Sequence, residues 1–550
     1  MNRFAELLDR LAYEPRRNAK IALVADYLAH TPDPDRGYAL AALTGALSFR
    51  DAKPAMIRAL IAARADPVLF ALSYDYVGDL SETVALMWPV PPVAPNRPPP
   101  HLAEVVETLA ATHRAAVPGR IAGWLDGLDE NGRFALLKLV TGSLRIGVSA
   151  RLARTALARL GGLEADAVEE VWHGLVPPYE PLFAWVEGRG PRPDSIDPAP
   201  FRPPMLSHAL EERDMETLDP ADFRAEWKWD GIRVEAAGGA ATSRDGEIRR
   251  VARLYSRTGD DISAAFPDLL AAISFDGALD GELLVLIEGR VQPFSVLQQR
   301  LNRKTVTAKL LAEYPAHIRA YDLLAEGDED LRALPFTARR ARLEAFVARL
   351  EEPRIDLSPL VAFPDWETLT AARAEPATHG AGADGDAVEG VMIKRAAAPY
   401  LPGRPKGEWY KWKRDPFAVD AVLMYAQRGH GKRSSFYSDY TFGVWRAAEA
   451  GDELVPVGKA YFGFTDEELK EIDRFVRKHT VGRFGPVREV VHTAETGLVI
   501  EVAFEGLNRS TRHKSGLAMR FPRVARLRWD KRPADADRIE VLEALLPAGA

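Results

Sequence analysis

Cysteine is absent from the 550-residue sequence, and that absence excludes disulfide bonds, thiolate catalysis and every zinc site with cysteine ligands. Long apolar runs are also missing. No stretch approaches the roughly 20 residues that a membrane span needs, and the amino terminus lacks the apolar core of a signal peptide. We therefore expect a cytoplasmic protein without a membrane segment. The hydrophobic share of 47% and the charged share of 27% are ordinary for a globular protein, and the length allows about three or four domains.

The sequence also lacks an overall positive charge, because its formal net charge is -7. The whole molecule therefore gives no sign of a nucleic-acid partner. Basic residues nevertheless cluster in two places: residues 509–532 contain nine Lys or Arg against one acidic residue, and residues 394–414 contain seven against one. Such clusters are usually solvated faces, but a surface that follows phosphates would look the same.

The segment Glu-Trp-Lys-Trp-Asp-Gly-Ile-Arg at residues 226–233 places one lysine between two tryptophans. In an extended strand, Glu226, Lys228 and Asp230 would project from one face and the tryptophans from the other. Desolvation or a nearby cation would lower the lysine pKa from about 10.4 and make the amine a nucleophile. The alternative is an amphipathic edge strand whose lysine only pairs with its acidic neighbours.

The Lys-x-Asp-Gly part of this segment resembles the nucleotidyl-lysine motif of the covalent nucleotidyltransferases, which include DNA ligases, RNA ligases and mRNA capping enzymes. Further segments resemble the other motifs of that superfamily in the same order, at residues 254–260, 278–285, 321–324, 389–395, 409–413 and 520–531. The last of them, running from Arg-Phe-Pro-Arg to Asp-Lys, favours DNA ligases over RNA ligases. The lack of cysteine argues against the NAD-dependent DNA ligases, which share a four-cysteine zinc module.

The resemblance implies a role for each matching residue. Lys228 would be the catalytic nucleophile that forms the covalent adenylate with ATP, and Glu282 and Glu389 would bind the metal, Mg²⁺ or Mn²⁺. The nucleotide would be contacted by Glu226, Arg233, Arg257, Glu282, Tyr321, Arg404, Lys411, Lys413, Arg523 and Lys531.

Three of these positions depart from the family pattern or have a rival in the sequence. Tyr321 stands where the family usually has a phenylalanine stacked on adenine, and its ring can stack equally well. Arg404 is one position out of register with the arginine expected before the second lysine motif. Arg257 has a rival in the Ser-Arg-Asp-Gly segment at 243–246, and we prefer Arg257 because Leu254 and Tyr255 supply a strand before it.

Two glycine-containing segments are weaker candidates for phosphate binding. Residues 380–385 satisfy Gly-x-Gly-x-x-Gly, but no strand precedes them, so a loop is favoured over a dinucleotide site. The segment Gly-Lys-Arg at 431–433 lacks the upstream glycine and the Ser or Thr of a phosphate loop.

The sequence predicts a multidomain fold with three parts. Apolar residues recur every three or four positions up to about residue 190, which indicates an all-α domain at 1–200. Its segment at 136–148 is similar to a helix-turn-helix stretch in the DNA-binding domain of larger ATP-dependent DNA ligases; the alternative is a helical scaffold without DNA contact. A proline-rich linker at 188–204 precedes an α+β nucleotidyltransferase (adenylation) domain at 201–415. Five short strands and one helix at 466–479 then suggest an OB-fold β-barrel at 416–550.

The resemblance as a whole implies an ATP-dependent DNA ligase that seals nicks in duplex DNA through a lysyl-AMP intermediate, in repair, recombination or replication. We expect a monomer that encircles nicked DNA, in a bacterial cytoplasm and associated with the nucleoid. Three alternatives remain at this point: an RNA ligase, a GTP-using capping-type enzyme, and a catalytically inactive nucleic-acid-binding protein.

Overall fold

The computed structural model of the protein describes residues 1–49, 52–89, 98–142, 144–193, 197–242, 247–301, 303, 306–428, 436–449, 451–485, 487–511 and 513–546. The rival segments 243–246 and 431–433 lie outside these residues, as does position 143 of the helix-turn-helix-like stretch. Across the ranges just given, no helix is long and apolar enough to cross a membrane.

The first part of the chain is helical, as its apolar periodicity predicts. Local sequence sets several helix starts: Asp66, Asp79 and Asp129 accept hydrogen bonds from the first free backbone amides, and Pro54 and Pro67 occupy the first helical turn. One apolar core joins these helices. In the part that the structure describes they are α1 Asn2–Tyr13, α2 Arg17–His30, α3 Asp35–Leu43, α4 Pro54–Ala62, α5 Pro67–Val77, α6 Leu80–Met87, α7 Leu102–Ala111, α8 Val117–Gly127, α9 Glu130–Thr141, α10 Ala150–Leu160, α11 Ala165–Trp172 and α12 Glu180–Val186.

The central part mixes strands and helices. Its elements are β1 His208–Ala209, α13 Glu212–Met215, β2 Phe223–Trp229, β3 Ile232–Thr242, β4 Ile248–Ser256, α14 Pro267–Ala272, β5 Gly277–Ile287, β6 Arg290–Val291, α15 Phe294–Leu297, α16 Ala308–Glu313, β7 Ala316–Glu326, β8 Glu329–Asp330, α17 Phe336–Leu350, β9 Ile355–Leu357, β10 Leu360–Val361, α18 Trp366–Ala374, β11 Val388–Arg395 and β12 Trp409–Lys413.

Two sheets make up this central part. One has the strand order β1-β12-β11-β2-β10, and the other has the order β4-β3-β5-β7-β8 with β6 beside β5 and β9 beside β7. The chain passes from the first sheet to the second at Asp230 and Gly231, between β2 and β3. Only glycine fits at 231, because an added Cβ would lie 2.5 Å from the carbonyl oxygen of Leu283. The lysine-bearing strand therefore ends where the two sheets meet.

The carboxy-terminal part is rich in strands. The predicted helix, α19, has the bounds that the sequence indicated, because a Thr465–Glu468 capping box fixes its start and Leu469, Ile472 and Val476 are buried on one face. The elements are β13 Phe417–Arg428, β14 Tyr437–Arg446, β15 Glu453–Ala460, α19 Asp466–His479, β16 Thr480–Phe484, β17 Val487–Val490, β18 Val499–Phe504, β19 Gly506–Arg509, β20 Leu517–Arg520, β21 Arg523–Arg528 and α20 Ile539–Glu543.

The five predicted strands correspond to β13, β14, β15, β17 and β18, whereas β16, β19, β20 and β21 were not predicted. The sheet runs β15-β14-β13-β17-β16, with β18 joining β13 to β21, and β19 and β20 form a separate hairpin. Among the described strands no sheet closes into a barrel.

The proline-rich segment predicted as a linker is partly built into the central domain. Phe201 and Met205 are 3% and 0% exposed, and Ala199 accepts a hydrogen bond from the Tyr255 hydroxyl at 2.8 Å. A Cβ at Gly239 would lie 2.0 Å from the Pro198 carbonyl oxygen, so the segment crosses β3 in close contact. Reading this stretch as a free linker was therefore wrong from residue 197 onward.

Candidate active site

Strands β2, β11 and β12 line up the predicted site residues in rows. Lys228 lies opposite Gly390 of β11, which lies opposite Lys413 of β12; two residues along, Glu226 lies opposite Met392, which lies opposite Lys411. Cross-strand neighbours share a face, so this face forms one wall of a cavity of about 400 Å³. The cavity is lined by Leu206, Ser207, Glu226, Trp227, Lys228, Trp229, Gly231, Ile232, Arg233, Arg257, Glu282, Tyr321, Met392, Lys394, Trp409, Lys411 and Lys413.

Lys228 is held as an ammonium ion by a neighbouring carboxylate. Its Nζ lies 2.5 Å from Glu389 Oε2. Burial opposes the charged form, but the attractions of Glu389 and Glu282 outweigh burial and raise the pKa of Lys228. The sequence suggested a lowered pKa for Lys228, whereas the structure raises it. The pKa would fall only if the charges of Glu282 and Glu389 were neutralised.

Within the part of the chain that the structure describes, Glu282 is the carboxylate of the site that forms no ion pair. It lies in the middle of β5, opposite Arg233 of β3. The sequence had suggested a position at the start of the strand. Burial raises the pKa of Glu282 to about 8, against the opposing effects of Lys228 and Arg233. No ion pair or hydrogen bond of this side chain occurs among the residues that the structure describes. Such a carboxylate fits a cation that arrives with the ligand.

Arg233 is fixed in place beside the predicted base-stacking ring. Its guanidinium donates to Asp280 at 2.6 Å and to the Met205 carbonyl oxygen at 2.7 Å. It also lies 5.9 Å from the ring centroid of Tyr321 and 5.8 Å from that of Trp409. Because several partners already hold this guanidinium in one orientation, little conformational entropy is lost when a ligand binds.

Three further cations face the same space. Lys411 and Lys413 follow each other on one face of β12, and Arg257 follows the end of β4. Burial, Lys413 and Lys228 lower the pKa of Lys411, and burial and Arg233 lower the pKa of Arg257. Mutual repulsion of this kind is relieved by polyphosphate, so the cluster suits an anionic ligand.

Arg404 and Glu389 border the site without lining the cavity. Arg404 is close enough to lower the pKa of Lys411 and of Arg257 through charge repulsion. Glu389 reaches the cavity through its bond to Lys228, and it is also 3.9 Å from Lys413. The described chain contains no cluster of three or more His, Asp or Glu that could hold a metal ion. Glu282 and Glu389 both act on Lys228, so a metal ion held by these two carboxylates would need further ligands from substrate and water.

Lys394 is a cavity residue that the sequence did not single out. It is 1% exposed, and its Nζ lies 2.6 Å from Glu226 Oε2. Glu226 is also buried and accepts from Arg340 at 3.1 Å. The available signal was the alternation Gly390, Met392, Lys394 in β11, which puts Lys394 on the same face as the rest of the site.

Comparison with known proteins identifies the family. The model described as "ATP dependent DNA ligase domain" matches residues 204–413, and "ATP dependent DNA ligase C terminal region" matches residues 433–531. A probable DNA ligase of Koribacter versatilis is 31% identical, over 99% of this chain and 96% of the relative. DNA ligase 1 of Korarchaeum cryptofilum is 30% identical, over 98% and 97%. The chain belongs to the ATP-dependent DNA ligases. The ligase also resembles the solved structure Pmar-Lig_PreS3 in fold, with a TM-score of 0.54, 15% identity and coverage of 96% of this chain and 99% of that one.

The carboxy-terminal part of the ligase meets the site through residues other than the two predicted. Arg520, at the end of β20, is paired with Asp230, and Glu505 lies 2.8 Å from Lys413. Arg523 lies on β21, and Lys531 lies 2.8 Å from Asp420 within its own domain. Neither Arg523 nor Lys531 lines the cavity. Family membership favours a DNA ligase over the RNA ligase and capping-enzyme alternatives.

Proposed function

We propose that the ligase seals nicks in duplex DNA through a covalent Lys228–AMP intermediate. The observation that carries this proposal is the position of Lys228, on the wall of the cavity between the carboxylates of Glu282 and Glu389 and the cations of Arg257, Lys411 and Lys413. Lys228 attacks the α-phosphorus of ATP and pyrophosphate leaves. AMP then passes to the 5′-phosphate of the nick, and the 3′-hydroxyl displaces it.

The residues of the chain have separate tasks in the first step. Tyr321 offers its ring to the base, and Arg233 is held beside that ring. Lys411, Lys413 and Arg257 meet the phosphates and stabilise the charge that develops on them. Lys228 must release one proton to solvent before its amine attacks, so its ion pair with Glu389 must first break.

We propose Mg²⁺, or Mn²⁺ in its place, as the metal ion that Glu282 and Glu389 would hold. Glu282 fits a metal ion because it has no cation partner in the described chain, and Glu389 fits because it contacts the nucleophile Lys228. Two carboxylates together with phosphate oxygens and water match the ligands that Mg²⁺ prefers. When bound, the metal would neutralise the charge of the phosphates and of the two carboxylates.

The covalent intermediate is tested with ATP labelled at the α-phosphate, followed by denaturing electrophoresis. The wild type should retain label, whereas Lys228→Ala and Lys228→Arg should retain none, because a guanidinium stays protonated up to about pH 12. Glu505→Ala, which removes an ion-pair partner of Lys413 and leaves Lys228 and Glu389 unchanged, is the control and should remain labelled. Label on another lysine in the Lys228 variants would reject the assignment, and a wild type that never carries label would support the inactive binding protein.

We also propose roles for the three parts of the chain, with domains at 1–200, 201–415 and 416–550. The helical domain would bind the DNA backbone, the central domain would carry the adenylate, and the carboxy-terminal domain would act as an OB-fold barrel. The backbone bond from Val524 N to Phe462 O, at 3.0 Å, supports the last assignment because it brings β21 beside the end of β15. A monomer encircling nicked DNA, in a bacterial cytoplasm near the nucleoid and active in repair, recombination or replication, completes the proposal.

The carboxy-terminal domain would close over the nucleotide in the first step and bring Arg523 and Lys531 to the departing pyrophosphate. Lys531 shares Asp420 with Arg528, at 2.8 and 2.9 Å, so it must leave that carboxylate to reach phosphate. In-line attack places the leaving group opposite Lys228, where cations favour the transition state. The proposal of closure assumes that Lys411 and Lys413 of the central domain already contact the other phosphates of the nucleotide.

A nick that already carries 5′-AMP distinguishes closure of the carboxy-terminal domain from simple DNA binding by its basic residues. Lys531→Ala and Arg523→Ala should slow enzyme adenylation by at least about 100-fold, as is typical when a group that stabilises the transition state is removed, yet both should seal a nick that already carries 5′-AMP. Lys514→Ala, at a lysine 67% exposed in the same domain, is the control. Normal labelling with ATP together with poor sealing of the pre-adenylated nick would reject closure and leave the basic cluster as a DNA-binding strip.

A further inference from the structure

One buried arginine contacts the last residues of the central domain, and the proposed reaction does not use it. Arg373 lies in the last turn of α18 and is 8% exposed. Its guanidinium lies 4.5 Å from the ring centroid of Trp412, and its Nη1 donates to the carbonyl oxygen of Lys413 at 2.6 Å. It also donates to both carboxylate oxygens of Asp415, each at 3.0 Å. A single guanidinium group thus holds three of the four residues at 412–415.

Stability alone gives little reason for this arrangement. The side chain of Asp415 is 85% exposed, and ion pairs with exposed partners contribute little to stability. The Nε of Arg373 is buried and has no acceptor within the described chain, which costs free energy. What the arginine does achieve is to fix the backbone at the end of β12.

The chain leaves the central domain directly after this contact. Arg414 is still bonded to β11, because its N–H donates to the Glu389 carbonyl oxygen at 2.8 Å. Strand β13, which begins at Phe417, is already paired with β18 of the carboxy-terminal part. Only one residue, a proline, separates the carboxylate of Asp415 from that strand. While Arg373 holds Asp415, a rotation of the carboxy-terminal domain therefore begins at residue 416.

Lys413 is bonded to both domains. Its Nζ donates to Glu505 of the carboxy-terminal part at 2.8 Å, whereas its carbonyl oxygen accepts from Arg373 of the central part. The same Nζ lies 3.9 Å from Glu389, which in turn contacts Lys228. When the carboxy-terminal domain moves away, its carboxylate pulls on the ammonium group of Lys413. The bond to Arg373 opposes that pull and keeps the backbone of the lysine in β12.

We propose that Arg373 is a positioning residue that keeps Lys413 beside the phosphates of ATP while the carboxy-terminal domain moves. The inference rests on the proposed attack of Lys228 on ATP and on the proposed contact of Lys413 with the phosphates. Arg373 does not line the cavity, so it acts through the Lys413 backbone and through Asp415. A displacement of about 1 Å at a reacting site costs up to about 100-fold in rate, so this hold on the backbone bears directly on the transfer step.

The rate of covalent labelling of Lys228, measured over a range of ATP concentrations, tests this role. Arg373→Ala should lower the maximal rate constant by about 10- to 100-fold with little change in the ATP concentration at half-maximal rate, because the lost interaction acts on the transition state. Arg373→Lys keeps a donor for the Lys413 carbonyl oxygen and should regain part of the rate. A loss of folded protein would instead lower the final amount of label and leave the rate constant unchanged.

A double-variant cycle shows whether Arg373 acts through Lys413. Lys413→Ala should itself slow labelling, and the addition of Arg373→Ala should slow it by no more than about threefold further, since the group to be positioned is already gone. Arg395→Ala is the matched control and should label at the wild-type rate. Arg395 also lies over an aromatic ring, 4.6 Å from the centroid of Phe223, and donates to the Gly407 carbonyl oxygen, but it is at the opposite end of β11.

The exposed partner of Arg373 supplies a variant that leaves the buried residues unchanged. Asp415→Lys places a second cation next to the guanidinium and should slow labelling by about tenfold, because like charges at this distance repel. An added positive charge would by itself attract ATP. Slower labelling of this variant would therefore come from displacement of Arg373.

Three results would overturn positioning by Arg373. One is an Arg373→Ala or Asp415→Lys protein that labels at the wild-type rate. Another is a double variant that is slower than Lys413→Ala by the full factor that Arg373→Ala costs the wild type, which would make the role structural. The third is Lys413→Ala at the wild-type rate, since nothing would then be left to position. A wild type that forms no label on Lys228 would instead reject the proposed function.

Discussion

Lys228 is kept unreactive by the same carboxylates that we propose as metal ligands. Glu389 bonds its amine directly, and Glu282 adds a second negative charge nearby. The ammonium of Lys228 in turn keeps the pKa of Glu389 below its usual range, although burial acts in the opposite direction. Under the proposed mechanism, Lys228 would react only when its substrate and a cation are both present.

Glu389→Gln should lower the pKa of Lys228, because it removes the strongest attraction that favours the ammonium ion. Only the neutral amine reacts with an acylating reagent, so a lower pKa moves the onset of Lys228 acylation to lower pH. Peptide mass spectrometry of nucleotide-free protein, acylated over a range of alkaline pH, measures this onset. Glu505→Gln is the control, since Glu505 contacts Lys413 and not Lys228. Identical profiles for the two variants would contradict the assignment of the pKa shift to Glu389.

At the scale of elements, the sequence predicted the helices and strands whose local pattern agrees with their surroundings in the fold. Helix α19 has a capping box, acids in its first turn, bases in its last and one buried face, so its bounds were predicted to the residue. Strand β2 alternates as expected, with Trp227 and Trp229 in the core. These patterns are complete within a single element.

Other features depend on partners far away in the chain. The hairpin of β19 and β20 has short, partly exposed strands without clear alternation, so nothing local predicts it. The pairing of Glu226 with Lys394 follows from the register of β2 with β11, which the sequence of neither strand contains. The charged state of Lys228 likewise depends on Glu389, whose distance from the amine could not be read from spacing.

The β19–β20 hairpin should hold the carboxy-terminal domain against the active site through Arg520. Arg520→Ala removes its pairing with Asp230 and leaves that carboxylate buried without its cation, which favours an open arrangement by about tenfold or more. Small-angle X-ray scattering of nucleotide-free protein should show a larger radius of gyration. Arg526→Ala, an exposed arginine on β21, provides the comparison. Unchanged scattering by the Arg520 variant would mean that other interactions hold the domain.

At the scale of the whole molecule, the helical domain is attached to the domain that carries the nucleotide. Glu170 of α11 lies 3.0 Å from Arg332, and the ring of His173 lies 4.7 Å from that of Tyr255, two residues before Arg257. Burial and the charge of Arg154 lower the pKa of His173 to about 4, so this contact stays uncharged near neutral pH. The helical domain therefore directly contacts the strand that ends just before Arg257.

Removal of residues 1–192 should weaken nick binding while leaving the Lys228–AMP reaction in place. If the helical domain binds phosphates, the slope of log affinity against log salt should shrink by about 0.9 for each phosphate that the shortened protein no longer neutralises. Fluorescence anisotropy with a nicked duplex measures both slopes, and retained labelling by ATP shows that the remaining domains are folded. Equal slopes for the full and shortened proteins would exclude binding of the DNA backbone by this domain.

The segment from residue 197 to 206 also bears on how such proteins can exchange modules. Phe201 packs against Gly259, two residues after Arg257, and the Met205 carbonyl oxygen accepts a hydrogen bond from Arg233, so the segment supports two residues of the candidate site. A recombination event, natural or engineered, that joined a foreign helical domain at the change in composition near residue 204 would separate the adenylation domain from its own support. A breakpoint before residue 197 keeps the two together. The part of this ligase that must be transferred intact is thus longer than its sequence motifs. It begins at residue 197, within the proline-rich segment.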